Sequence, residues 1–192
     1  MIRILLATLL SAIALVQISA QKNSGNTPNL LQNGNFSKGT ESWEVFLTDP
    51  NAPIKAHIIE RGDSYEKYGL ADNYVGTNFV ELDSKSAISQ KTATKAGEPH
   101  VLVFAYAHRP DAGDKQLIVE INGKAIWTKT VKNTSEAGTF TYKIIKFIPK
   151  SNSTAVALYA VSLGGDGEKG VLVTDVLMNE EPTVDLKLFY EY

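Results

Sequence analysis

From Leu30 onward the chain changes character every second residue, in short runs closed off by Gly, Pro, Asn and Asp. Successive strand side chains point to opposite faces, so this period specifies strands and excludes amphipathic helices. Over 101–108, Leu102, Phe104, Tyr106 and His108 fall on one side, with Val103, Ala105, Ala107 and Arg109 on the other. The bulkier set is expected to face the core. The same reading predicts strands at 52–60, 79–83, 87–92, 140–148, 154–161, 171–178 and 184–190. Runs 117–121 and 124–130 flank Asn122-Gly123, a pair suited to the type I′ turn of a two-residue hairpin. No helical stripe and no repeat of 20 to 50 residues interrupts the pattern. Sheets that bury one face must pair with another layer, and the expected fold class is all-β, a two-sheet antiparallel jelly-roll sandwich. Segment 60–74 fits neither period. It reads as a long loop or a short helical turn, and such loops on a rigid scaffold often carry function.

The first twenty residues are read as an export signal. Arg3 supplies the positive end, 4–16 is apolar but short for a bilayer, and Ser19-Ala20 precedes the expected cut. The expected organisation is a signal peptide at 1–20, a polar leader at 21–28 and one β-sandwich domain at 29–192. No second apolar run reaches spanning length, so no membrane span is expected. The chain has no cysteine. Thiolate catalysis, thiolate zinc sites and disulfides are thereby excluded. Losing Arg3 would leave 18 of the 19 basic residues against 21 acidic ones, a net charge of −3. A balance this mild gives no electrostatic case for nucleic acid or an anionic membrane surface.

Several spaced segments carry a resemblance. Asn-Leu-Leu-Gln-Asn-Gly-Asn-Phe at 29–36, Asn-Phe-Val-Glu-Leu-Asp at 78–83, Phe-Ala-Tyr-Ala-His-Arg-Pro at 104–110, Leu-Ile-Val-Glu-Ile-Asn-Gly at 117–123 and Val-Leu-Val-Thr-Asp-Val-Leu at 171–177 together resemble the galactose-binding-like β-sandwiches. These are found as carbohydrate-binding modules and in the DUF642 group of secreted proteins. The resemblance implies a structural calcium held by the N-terminal Asn-Gly-x-Phe segment and a final-strand Asp. Here those positions are Asn33, Ser37 (where the family has Glu) and Asp175. Calcium takes six to eight hard oxygens, and Glu41 is a nearby substitute carboxylate. The resemblance also implies a sugar groove lined by strand positions that face away from the core. By alternation these are Arg109, Glu81 and Gln90, with Arg109 able to hold a carboxylate or vicinal hydroxyls in bidentate fashion. Trp127, in the hairpin, is a surface aromatic candidate, whereas Trp43 matches a packing tryptophan of the family.

Catalytic patterns are missing. His57, His100 and His108 lack zinc-hydrolase spacing, and there is neither a Gly-x-Ser-x-Gly elbow nor a phosphate loop. Glu81 and Asp83 lie at i and i+2 of one strand and cannot flank a glycosidic bond. The Gly/Asp-rich run at 164–170 lacks an EF-hand's ligand spacing, and Arg61-Gly62-Asp63 is too short to carry adhesion. Sequons begin at Asn35, Asn133 and Asn152, so a eukaryotic route would make a glycoprotein. The expected function is a secreted, non-catalytic protein that binds extracellular or cell-wall glycans or glycoproteins. The alternative is an adhesive sandwich that binds a protein partner and has no sugar site.

Overall fold

The structure is a computed structural model describing residues 28–47, 61–62, 68–74, 76–84, 86–134, 136–164, 169–181 and 190–191. The expected signal peptide, most of the leader, the strand expected at 52–60, His57 and most of 184–190 lie outside them. The strands are β1 (Glu44–Leu47), β2 (Arg61–Gly62), β3 (Phe79–Leu82), β4 (Ser86–Ala93), β5 (His100–His108), β6 (Lys115–Ile121), β7 (Lys124–Val131), β8 (Thr141–Ile148), β9 (Ser153–Ser162), β10 (Val171–Glu180) and β11 (Tyr190–Glu191). They form a five-stranded sheet in the order β1-β4-β9-β6-β7 and a six-stranded sheet in the order β11-β8-β5-β10-β3-β2.

The chain is an all-β two-sheet sandwich, as its periodicity requires. One pairing departs from the antiparallel expectation: β11 runs parallel to β8 at the sheet edge. Segment 60–74 contributes β2 and a 3-10 turn at Asp72–Tyr74. No helix among the described residues is long and apolar enough to cross a membrane.

The core lies between the sheets. Leu102 and Phe104 of β5 are fully buried against Leu117 and Val119 of β6 and Leu158 of β9, while Tyr106 is half-buried at the margin. The β6–β7 hairpin turns at Asn122 (φ 51°) and Gly123 (φ 77°), the two positive values that a type I′ turn demands. Asn122 also accepts a hydrogen bond from the Ala155 N–H at 2.8 Å, fixing the turn to the start of β9.

The two long edges of the sandwich close differently. At one, segment 29–34 bridges the sheets. Leu30 N–H donates to the Met178 carbonyl at 2.8 Å and Val176 N–H to Gly34 at 2.9 Å, while the Thr92 hydroxyl donates to the Leu30 carbonyl at 2.8 Å. Gly34 has no alternative here, because a Cβ would drive into the Val176 carbonyl. At the opposite edge, β7 and β8 are joined by the loop over 132–140, and the sheets stand open.

β10 is interrupted by a bulge. Thr174 pairs with Ala105 and Leu177 with Val103, so Asp175 and Val176 both stand against Phe104. Asp175 takes the extra place at φ 51°. The left-handed region suits Asp, and the bulge resets the phase so that Val176 and Met178 return to the core.

Candidate functional site

A cleft of about 550 Å³ occupies the open edge. One wall is the inner face of β7, where Lys129 follows Trp127 and precedes Val131; the opposite wall is the paired Tyr106 and Thr141 of β5 and β8. The loop carrying Lys132, Thr134 and Glu136 closes one end. The inner face of β7 is interrupted at Lys129, an exposed lysine set between half-buried Trp127 and buried Val131.

Trp127 stands beside it. Its ring meets Phe104 edge-on at 5.6 Å and Tyr106 at 5.7 Å between centroids, and the Lys143 ammonium lies 5.6 Å from its centre. This packing locks the aromatic end of the cleft in place. Burial pushes the Tyr106 phenol above its ordinary pKa, so at neutral pH it is a hydroxyl able to donate or accept. His108 forms part of the floor, with Nε2 3.2 Å from the Gly113 carbonyl; this contact places the ring proton on Nε2. The cleft thus combines the Tyr106 ring with a rim of hydroxyls and ammonium groups.

The sequence-predicted residues fall elsewhere. Arg109 and Glu81 do face away from the core, but their face is covered. Tyr68, Leu70, Phe79 and Phe140 pack over Ala105, Ala107 and Leu172 in a second apolar cluster. Beneath that cover one Arg109 Nη1 donates to both Glu81 oxygens at 2.9 and 2.8 Å, the Gly170 N–H donates to Glu81 at 2.8 Å, and the guanidinium lies 4.7 Å from the Tyr68 ring centre. Glu81 is 1% exposed. The pair ties β3 to β5 across β10. Strand alternation gives a side chain's face; it does not show whether a loop lies on that face.

Gln90 points the other way from expectation. It shares the inner face with Ile88, and its amide is used at both ends by Gln32, accepting from the N–H at 2.7 Å and donating to the carbonyl at 3.0 Å. Its role is to seat the N-terminal segment. Of the four expected ligand residues, Trp127 alone adjoins the cleft.

The calcium donors are near one another but already engaged. Gly34 abuts the bulge, as the resemblance implies. Asn33, however, spends its amide on the Gly39 and Glu41 carbonyls, both at 2.9 Å, and accepts the Lys38 N–H at 3.1 Å. Glu41 is 3.8 Å from the Lys38 ammonium, Ser37 is exposed, and the Asp175 carboxylate turns to Tyr142, whose hydroxyl donates to it at 2.8 Å. Among the described residues no group of three or more His, Asp or Glu is placed to hold an ion. The donor set does not fit calcium, because hydrogen bonds within loop 33–41 take the oxygens an ion would need. The melting temperature is therefore expected to stay within about 1 °C on adding EDTA to calcium-loaded protein, and a fall of several degrees would show an ion in the fold.

Two tyrosines give a second test. Burial, reinforced by a hydrogen bond to Asp175, pushes Tyr142 up to about 12; burial and a 2.7 Å bond to Glu120 push Tyr159 up to about 12. The unfolded chain loses these protons near the ordinary tyrosine value of 10.0 while the folded chain keeps them. The stabilisation is thus complete below pH 10 and lost as pH rises towards 12. Urea titrations across that window should show a decline that Tyr142→Phe and Tyr159→Phe together flatten. An unflattened decline would place its origin in other groups.

No protein-family model matches the chain, and no curated protein matches it in sequence. Solved structures do match. TmCBM61, in complex with β-1,4-galactotriose, is 16% identical with a TM-score of 0.55, covering 80% of this chain and 99% of that one. The Stig cyclase Fisc from Fischerella sp. TAU is 12% identical with a TM-score of 0.59, covering 81% and 98%. The K3 adhesin domain of Lys-gingipain from Porphyromonas gingivalis is 13% identical with a TM-score of 0.51, covering 77% and 97%. The two-sheet β-sandwich fold of this chain is thus shared with a carbohydrate-binding module, a cyclase and an adhesin domain.

Proposed function

We propose that this protein is an exported, non-catalytic saccharide-binding module whose ligand occupies the cleft between β7 and the Tyr106–Thr141 row. The observation that carries the reading is the cleft's composition. The Tyr106 ring, packed against Trp127, lines the cleft together with hydroxyls from Thr130, Thr139 and Thr141 and the ammonium groups of Lys129 and Lys132. Pyranose rings present an apolar C–H face and a polar perimeter, which such a surface matches group by group.

Fold alone does not assign function. Its bearing here is that TmCBM61 carries β-1,4-galactotriose on the same sandwich. A non-catalytic role is supported by the acids at the cleft: Glu136 is the one carboxylate among its described lining residues, whereas glycoside hydrolysis needs a pair. Export is supported by the reading of residues 1–20 as a signal peptide.

A glycan array with and without calcium tests the reading. Binding to at least one class of oligosaccharide, unchanged by calcium, is the expected result. A protein that binds no glycan in either condition would return the choice to a protein-binding adhesive sandwich.

A further inference from the structure

The outer face of the six-stranded sheet carries a feature that the cleft does not use. Tyr142 is on β8 and Asp175 on β10, with β5 between them, yet their side chains are hydrogen-bonded at 2.8 Å. Neighbouring strands lie about 4.8 Å apart, so the tyrosine must reach across the whole width of β5. It crosses at Ala105, which stands opposite Tyr142 on one side and Thr174 on the other and is 1% exposed. A small residue at that crossing lets the ring approach the sheet, and 50% of Tyr142 stays open to solvent.

The next row along the sheet is apolar. Ile144, Val103 and Leu177 stand in register across the same three strands, with Ile144 and Leu177 46% and 40% exposed. The carboxylate is there because of the bulge. Without the extra residue Asp175 would share the inward phase of Val173; at φ 51° its side chain instead reaches the outer-face Tyr142. At a backbone conformation that Asp adopts readily, the bulge aims a carboxylate at a half-exposed ring on the outer face.

We propose that Tyr142 and Asp175 form a second saccharide surface, where one pyranose stacks on the ring beside Ile144 and Leu177 and donates a hydroxyl to the Asp175 carboxylate. It extends the saccharide reading of the cleft to an opposite face of the same sheet. Tyr142 is tethered at its hydroxyl, so the ring loses little freedom on binding. The Asp175 oxygen not bonded to Tyr142 supplies a charged acceptor, stronger than a neutral one.

The test is a titration of isotope-labelled full-length protein, observed by NMR, with galactose, glucose, mannose, xylose and β-1,4-galactotriose at millimolar concentrations. Saturable shifts at Tyr142, Ile144, Asp175 and Leu177, distinct from those at Tyr106 and Trp127, are expected. Tyr142→Ala should weaken the outer-face response at least about tenfold and leave the cleft response intact. Asp175→Asn, which keeps a residue tolerant of positive φ, should weaken it by a few-fold, in line with the loss of a charged acceptor. Shifts confined to the cleft would overturn the second surface and leave the first. No shifts with any sugar would overturn both. Outer-face signals that move with protein concentration and not with sugar would overturn the proposal in favour of self-association.

Discussion

Replacing Glu81 by alanine is expected to lower folding stability by about 3–5 kcal/mol, because it removes one member of a buried, hydrogen-bonded ion pair. Arg109 is 15% exposed at its side chain, and Glu81 at 1% takes both oxygens' worth of its charge. Removing the carboxylate also leaves the Gly170 N–H without its acceptor. Arg109→Ala should be damaging for the mirrored reason, an uncompensated buried carboxylate. Exchanging both residues together for methionine should recover much of the loss, since an apolar pair of similar volume faces no desolvation penalty. The contrasting pair is Lys95 with Glu180, 2.8 Å apart but on the surface, where solvent screening leaves little to lose on substitution. Urea denaturation measures all of these. A Glu81→Ala loss below about 1 kcal/mol would mean that water reaches the pair past the Tyr68 and Leu70 cover.

This pair also marks what a sequence can and cannot convey. Alternation assigns Leu102 and Phe104 to the core and Arg109 and Glu81 to the opposite face, and both assignments match the structure; Tyr106 shares the inward phase and is half-buried. The Asn122-Gly123 hairpin was equally legible, because its turn chemistry is local. The cover over Arg109 was not. It comes from Tyr68 and Leu70, about forty residues away, in a segment with no period of its own. Gln90 misled for a related reason: its amide faces inward because segment 29–34 is there to receive it, and polarity alone argued for the outside.

The cleft had a signal that went unread. Inner-face residues of β7 run Trp127, Lys129, Val131, which puts a lysine in core phase at the cleft. Tyr106 read as core for the complementary reason. Its neighbours Leu102 and Phe104 are buried, and the strand gives no warning that burial ends one step later.

The second large effect is expected in binding. Thr141 is exposed, lines the cleft and sits at the start of β8, so a larger side chain there fills ligand space without entering the core. Thr141→Trp should reduce affinity for an array-selected glycan at least about a hundredfold, equivalent to roughly 2.7 kcal/mol. Its urea midpoint should remain close to that of the parent, which separates blockage from unfolding. Lys129→Ala, by comparison, removes one charged hydrogen-bond donor and should weaken binding about tenfold.

Where the sugar sits is measured most directly by a crystal structure of the protein with the tightest glycan found on the array. The prediction is a saccharide between Lys129 and the Tyr106–Thr141 row, with a ring against the Trp127 end and hydroxyls meeting the threonines. A saccharide held by Arg109 and Glu81 after displacement of the Tyr68 cover, with the cleft filled by solvent alone, would contradict it.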